Sequence, residues 1–133
     1  MWYKKCGIED VPWLMEFAKR HYGDLLKNYQ ETGVWLAHRV MQEDVLILRT
    51  ERAALVTTEM VRVFDGRLLH CAYLYAGNIW ELLTLFRAAL AWARTRGGKA
   101  LEFGCDTGYD MAPLAKRLGA RLKTDDIYYS MES

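Results

Sequence analysis

The chain has 133 residues, of which 52% are hydrophobic and 26% charged, with only 2 Pro and 10 Gly. At about 100–200 residues per domain this is a single domain spanning 1–133, and the composition excludes a disordered tail, a collagen-like repeat and a low-complexity linker. The 18 basic and 17 acidic side chains leave a formal charge of +1, so the net field gives no reason to expect nucleic acid or an anionic membrane as a partner.

Trp2 to Cys6 reads as an edge strand ending at Gly7. Asp10 is placed to cap a helix with Pro12 in its first turn, where a missing N–H costs nothing. The apolar residues Val11, Leu14, Met15, Ala18 and Tyr22 then repeat at helical spacing up to Gly23. The stretch from Asp24 to Gly33 is ambiguous, and a second helix is expected over Val34 to Gln42. From Val45 the period changes: Val45–Leu48 is a short apolar run, and Ala53 to Phe64 alternates with β-branched residues, so both read as strands. Asp65-Gly66 suits a two-residue type I′ turn, which requires positive φ at both positions, and joins Leu55–Phe64 to Arg67–Ala76 as a hairpin. If Phe64 opposes Arg67, Glu59 opposes Ala72 and His70 opposes Val61. Glu59 and His70 are then diagonal neighbours on one face, about 7–8 Å apart.

The longest helix follows, with Ile79, Leu82, Leu83, Phe86, Ala89, Leu90 and Ala93 forming its apolar stripe and Gly97-Gly98 ending it. Lys99 to Gly104 reads as a strand, so a right-handed crossover sets Leu69–Ala76 and Ala100–Phe103 parallel. A further helix starts near Asp110, takes Pro113 in its first turn and stops at Gly119; Arg121–Lys123 and Ile127–Met131 close the chain as short strands.

The apolar stretch Leu82 to Ala93, broken by Arg87, is too short for the roughly 20 residues of a membrane span. Met1-Trp2-Tyr3-Lys4-Lys5 lacks the apolar run of a signal peptide, so a soluble cytoplasmic protein is expected. Cys6, Cys71 and Cys105 are odd in number and lack metal-ligand spacing, which points to buried thiols in a reducing compartment and to no metal site. Cys71 and Cys105 are nucleophile candidates only if a His lies beside them.

This order of elements resembles the GNAT superfamily of acyl-CoA-dependent N-acyltransferases over nearly the whole chain. The resemblance is carried by Ala100–Phe103, by Leu114–Ala120 at the place of a Leu-Gly-aromatic signature, and by Gly7–Leu14 as a first strand running into a first helix. It implies an α/β fold with a central, mostly antiparallel sheet, one parallel splayed pair and about four flanking helices. Small phage-encoded GNAT-like proteins, some of which accompany internal virion proteins of short-tailed phages, look nearest in length and in the Leu-Gly-Ala ending, so a virion-associated location is a further expectation.

Two departures from the family pattern stand out. An Arg/Gln-x-x-Gly-x-Gly/Ala loop would aim backbone N–H groups at the CoA pyrophosphate. Here Tyr75 runs through Ala76, Gly77 and Asn78 straight into Ile79, Trp80 and Glu81, with one Gly, no preceding Arg or Gln, and an acid in the first helical turn. The Tyr that many members use to protonate the leaving thiolate is replaced by Ala115; Tyr109 stands at no matching position. The resemblance with these departures implies a pseudoenzyme: no cofactor is expected, and the chain acts as an accessory or interaction protein with a protein partner or by self-association.

An active acetyl-CoA-dependent N-acetyltransferase is the alternative. Tyr75, Ala76, Gly77, Asn78 and Ile79 would then meet the cofactor, and Glu59 or His70 would deprotonate an amine through water, the carboxylate raising the His pKa. The favoured reading of Gly77-Asn78 is nonetheless an ordinary strand-to-helix turn with a capping Asn, and that of Glu59–His70 a structural pair. Trp80, Tyr73 and Tyr75 near the cleft mouth either plug it or anchor a partner, and Tyr128–Met131 is either an exposed edge that pairs in a dimer or an edge covered within the monomer.

Overall fold

A computed structural model of the chain describes residues 2–23, 28–61, 68–98, 100–104, 112–122 and 128–132. Strand β1 (Lys4–Lys5) leads through a 3₁₀ turn (Ile8–Asp10) into α1 (Val11–Tyr22) and α2 (Tyr29–Arg39). Three strands follow, β2 (Val45–Arg49), β3 (Ala53–Val61) and β4 (Leu68–Gly77), then α3 (Ile79–Thr95), β5 (Ala100–Gly104), α4 (Ala112–Leu118), β6 (Arg121–Leu122) and β7 (Tyr128–Glu132). The strands form one sheet in the order β1-β2-β3-β4-β5-β7-β6. Every neighbouring pair is antiparallel except β4–β5, which is parallel, as the expected crossover requires.

Side-chain alternation on this sheet creates two cores. Leu46, Leu48, Ala53, Leu55, Ala72 and Tyr75 face α3 and α4, packing on Leu82, Phe86, Ala89, Leu90, Leu114 and Ala115. Val45, Ile47, Ala54, Val56 and Ala76 face the other way, against Leu14, Met15 and Phe17 of α1 and Leu36 of α2. Each fully buried Leu or Phe contributes roughly 1.5–3 kcal/mol, so the wide apolar stripe of α3 fixes that helix along β3 and β4.

Four expectations change. Asp10 makes no capping bond to α1: its carboxylate accepts the Gly7 N–H at 2.9 Å and pairs with Lys4 at 3.0 Å and Arg49 at 3.7 Å, tying β1 and β2 to the start of the helix. Helix α2 begins at Tyr29 rather than Val34, because Asn28 caps it by accepting the Glu31 N–H, and Gly33 is accommodated where α2 packs on the Met15 side chain.

In the β3–β4 hairpin, Val61 opposes Leu68 and Glu59 directly opposes His70, two residues away from the expected register. A slip of one residue exposes the core face, but a slip of two leaves every side chain on its own face, so the apolar pattern could not choose between them. The Asp65-Gly66 turn lies outside the described residues. Finally, β7 is no free edge: it lies between β5 and β6, with Ser130 and Tyr129 paired on both sides, which corrects the exposed-edge reading of Tyr128–Met131.

Candidate functional site

The parallel ladder of β4 and β5 covers His70↔Leu101, Cys71↔Glu102 and Ala72↔Phe103, and β4 then runs on to Gly77 beyond it. Just past the last pair, the β3–β4 register shifts between Val56 and Thr57, leaving Tyr73 as an extra residue on β4. Such bulges re-aim a strand and are enriched beside active sites. Here the bulge reverses the facing of β4, so that Ala72 and Tyr75 both enter the α3 core and Ala76 turns to the α1–α2 side. The run His70-Cys-Ala-Tyr-Leu-Tyr75 offers few polar residues to mark a face, which is why the sequence did not reveal it.

At the end of β4, Gly77 has φ +120°, and a Cβ there would lie 2.0 Å from the Arg52 carbonyl oxygen and 2.6 Å from Ala53 Cα. The need for glycine therefore arises from β4 crossing the start of β3. Asn78 donates its N–H to Arg52 at 2.9 Å, and its Oδ1 accepts the N–H groups of Trp80 at 3.0 Å and Glu81 at 3.2 Å. Four N–H groups at a helix start need partners outside the helix. Three of the four at α3 are consumed inside the chain, leaving at most that of Ile79 for a ligand.

Glu81 is buried and turned toward the β2–β3 connection. It accepts the Arg52 N–H at 3.2 Å, and the Arg52 Nε stands 2.7 Å from its other oxygen, off line for a hydrogen bond. The acid in the first helical turn is thus paired with a cation. Tyr75 and Ala76 are buried, and Ile79 packs partly buried on the α3 core, so these residues could meet a ligand mainly through their main chain. Tyr75 fills the space beside Phe86 and Phe103, with ring centroids 5.3 and 6.3 Å away. Trp80 is exposed, and the Arg117 guanidinium of α4 lies 4.6 Å from its ring. The Tyr73 side chain lies outside what is described.

Main-chain alternation completes this edge. Because Asn78 bonds to Arg52, the N–H and C=O of Tyr75 and Gly77 point away from β3. The Tyr75 carbonyl accepts a hydrogen bond from the hydroxyl of Tyr22, the last residue of α1. Nothing in the local sequence marks Tyr22 or Arg52: Tyr22 falls within the apolar stripe of α1, and Arg52 is one charge in a turn.

Glu59 and His70 do meet, at 3.3 Å between Oε1 and Nε2, and the Arg96 Nε–H also donates to that oxygen. His70 is fully buried, edge-on to Trp92 at 5.1 Å, and its Nδ1 faces Gly98, where a Cβ would lie 2.3 Å away. Nδ1 has no hydrogen-bond partner among the described residues. Burial lowers the His70 pKa and outweighs the raising effect of Glu59, contrary to the expectation from the carboxylate alone. Arg96, more than His70, holds the Glu59 carboxyl below its usual range.

The pair also stands apart from the turn at 75–79. Seven residues of strand separate His70 from Gly77, roughly 23 Å, and α3 spans a similar length between the two places. Burial raises the Cys71 thiol and pushes that of Cys6 up to about 12, while Cys105 lies outside the described residues. No cluster of three or more metal-ligating side chains is present among the described residues, and no described helix is long and apolar enough to cross a membrane.

No family model matches the sequence, and no curated protein matches it. Solved structures do. A protein of Arthrobacter sp. FB24 assigned as an acetyltransferase superposes with a TM-score of 0.78 at 15% identity, covering 100% of this chain and 93% of that one. The polyamine N-acetyltransferase of Drosophila melanogaster, which forms N-acetylagmatine, gives 0.73 at 12% identity with 99% of each chain covered. The ribosomal-protein-alanine N-acetyltransferase of Brucella melitensis biovar Abortus 2308 gives 0.66 at 9% identity, covering 89% of this chain and 91% of that one. With a mostly antiparallel seven-stranded sheet, one parallel pair and four helices among the described residues, the chain has the fold of the GNAT acetyltransferases.

Proposed function

We propose that this protein is a GNAT-fold pseudoenzyme that does not grip acyl-CoA by its diphosphate and acts through contacts with a protein partner or with its own copies, in the manner of phage-type accessory or virion proteins. The observation that carries this reading is the turn at Asn78. Its side chain takes the Trp80 and Glu81 amides and its own N–H goes to Arg52, so the donors that would converge on an anion are spent within the fold. The residues present therefore do not fit the diphosphate of CoA, and no reaction step is assigned through it.

A second reading, an active N-acetyltransferase using Gly77, Asn78 and Ile79 for phosphates and Glu59 or His70 as base, is favoured by one observation: the parallel ladder ends at Ala72 and Phe103 beside a bulge while β4 runs on to Gly77. Titration with acetyl-CoA separates the two. Under the favoured reading there is no thermal stabilisation, whereas ligand at a hundred times its dissociation constant would add about 2.7 kcal/mol. Micromolar binding, with thiol release when agmatine or an N-terminal alanine peptide is added, reverses the order. Light scattering at high concentration reads self-association directly.

A further inference from the structure

The face of α3 turned away from the sheet has a period of its own. Trp80, Thr84, Arg87, Ala91 and Arg94 follow one another at alternating steps of four and three residues, so they line up as one stripe, about 21 Å long at the helical rise. Thr84 is partly buried and the other four are exposed. Trp80 is 57% exposed, whereas every other large apolar side chain of α3 is buried or partly buried, and the Arg117 guanidinium of α4 lies 4.6 Å from its ring. Alternating steps of three and four residues are those by which one helix seats another, large side chains entering the gaps above small ones. Here Thr84 and Ala91 are the gaps between Trp80, Arg87 and Arg94.

The stripe is also of one sign, in a chain whose formal charge is only +1. Helices α3 and α4 expose Arg87, Arg94, Lys116 and Arg117, and the one carboxylate on either helix, Glu81, is buried against Arg52. Arg52 and Arg96 are held by Glu81 and Glu59, but Arg87 and Arg94 have no ion-pair partner among the described residues. From this pattern we propose that the outer face of α3 docks an acidic amphipathic helix of a protein partner, which packs an apolar side chain on Trp80 and sets carboxylates seven residues apart against Arg87 and Arg94. The two arginines stand two turns, about 10.5 Å, apart, the repeat of equivalent positions on a helix lying alongside. A nucleic-acid strand presents a charge about every 3.4 Å of its axis and calls for a denser row of cations. A second copy docked through this same face brings no exposed carboxylate to it, so the partner is a different chain. The proposal rests on the reading above that the protein acts through a protein partner, and it gives that partner a chemistry.

The probe is a three-heptad synthetic helix with Glu once per heptad on an otherwise alanine and leucine seam, titrated into the full chain while the backbone amide shifts of α3 are read. The expected result is saturable binding with shifts along Trp80, Thr84, Arg87, Ala91 and Arg94. Binding weakens at least about tenfold in the double variant Arg87→Glu, Arg94→Glu, because two exposed ion pairs become two repulsions, and a probe with Lys in place of Glu restores it to that variant. Trp80→Ala, which changes no charge, weakens the Glu probe by a similar factor, and thermal melts check that both variants keep the fold. No saturation at millimolar probe, or equal binding by the wild-type and charge-reversed chains, overturns the proposal. So does tighter binding of an oligothymidylate than of the Glu helix, and so does a concentration-dependent shift of the same amides with no probe present, which assigns the face to a second copy. Acetyl-CoA titrated on its own judges the underlying reading: micromolar binding of it defeats the pseudoenzyme, while the Glu-helix titration still decides the α3 face.

Discussion

The two ends of α3 hold polar groups in opposite ways. At its N-terminus, Asn78 satisfies two amides within three residues of itself, and Glu81 and the Asn78 N–H reach across to Arg52 on the neighbouring strand connection. At its C-terminus, Glu59 from β3, His70 from β4 and Arg96 after α3 converge from three places in the chain, and the histidine is sealed from water. The first arrangement uses up hydrogen-bonding capacity where a ligand would need it. The second, though it contains the groups an acid–base site would use, keeps them neutral or paired and roughly 23 Å of strand away. Residue types suited to chemistry therefore do not mark a site unless the fold brings them to a common opening.

Four substitutions sharpen this contrast. The largest effect is expected at the N-terminal end, where Gly77→Ala forces a side chain into the left-handed region and onto the Arg52 backbone; chemical denaturation should show a loss of about 3 kcal/mol or more. An unchanged midpoint would mean that β4 does not press on β3 there.

At the other end, Glu59→Gln should cost about 1–2 kcal/mol at neutral pH, since the Glu59 carboxylate accepts from both His70 and Arg96 while mostly buried. The sign with pH is fixed by the direction of the shift. A carboxyl held below its usual 4.5 stabilises the fold above that value and loses the contribution as pH falls through its folded pKa, so the difference between variant and wild type should close in acid.

His70 acts in the same direction over a higher range. Its pKa is depressed from 6.5, so the unfolded chain takes up the proton first and stability falls as pH drops below 6.5. His21 is depressed as well, by burial and Arg20, so the share of His70 is read from the pH profile of His70→Asn against wild type; identical slopes would show that His70 is not shielded. The smallest effect on stability is expected for Asn78→Ala, about 1 kcal/mol for a lost helix cap by chemical denaturation; because it frees the Trp80 and Glu81 amides, acetyl-CoA titration of this variant against wild type reads whether the cap is what withholds those donors.

Much of the architecture was legible in the residues. The 3.6-residue stripe from Ile79 to Ala93 gave α3, the β-branched runs gave β2 and β3, and the strand–helix–strand order gave the single parallel pair. Asn78 as a cap was legible too, because capping is decided by residues two and three positions away. The start of α2 was not, since Gly33 reads as a break until Met15 of α1 is packed against it.

Sequence alone therefore settled most of the elements, the cap at α3 and the presence of a single Gly in the turn at 76–78, all of which are short-range consequences of side-chain period and backbone freedom. Only the tertiary structure decided the partners that lie far apart in the chain: Glu59 opposite His70, Arg52 on Glu81, Tyr22 on the Tyr75 carbonyl, and β7 between two neighbours. The reason is physical. A two-residue slip or a bulge costs nothing in an alternating pattern, so register, and with it the meeting of distant polar groups, is set by packing across the sheet.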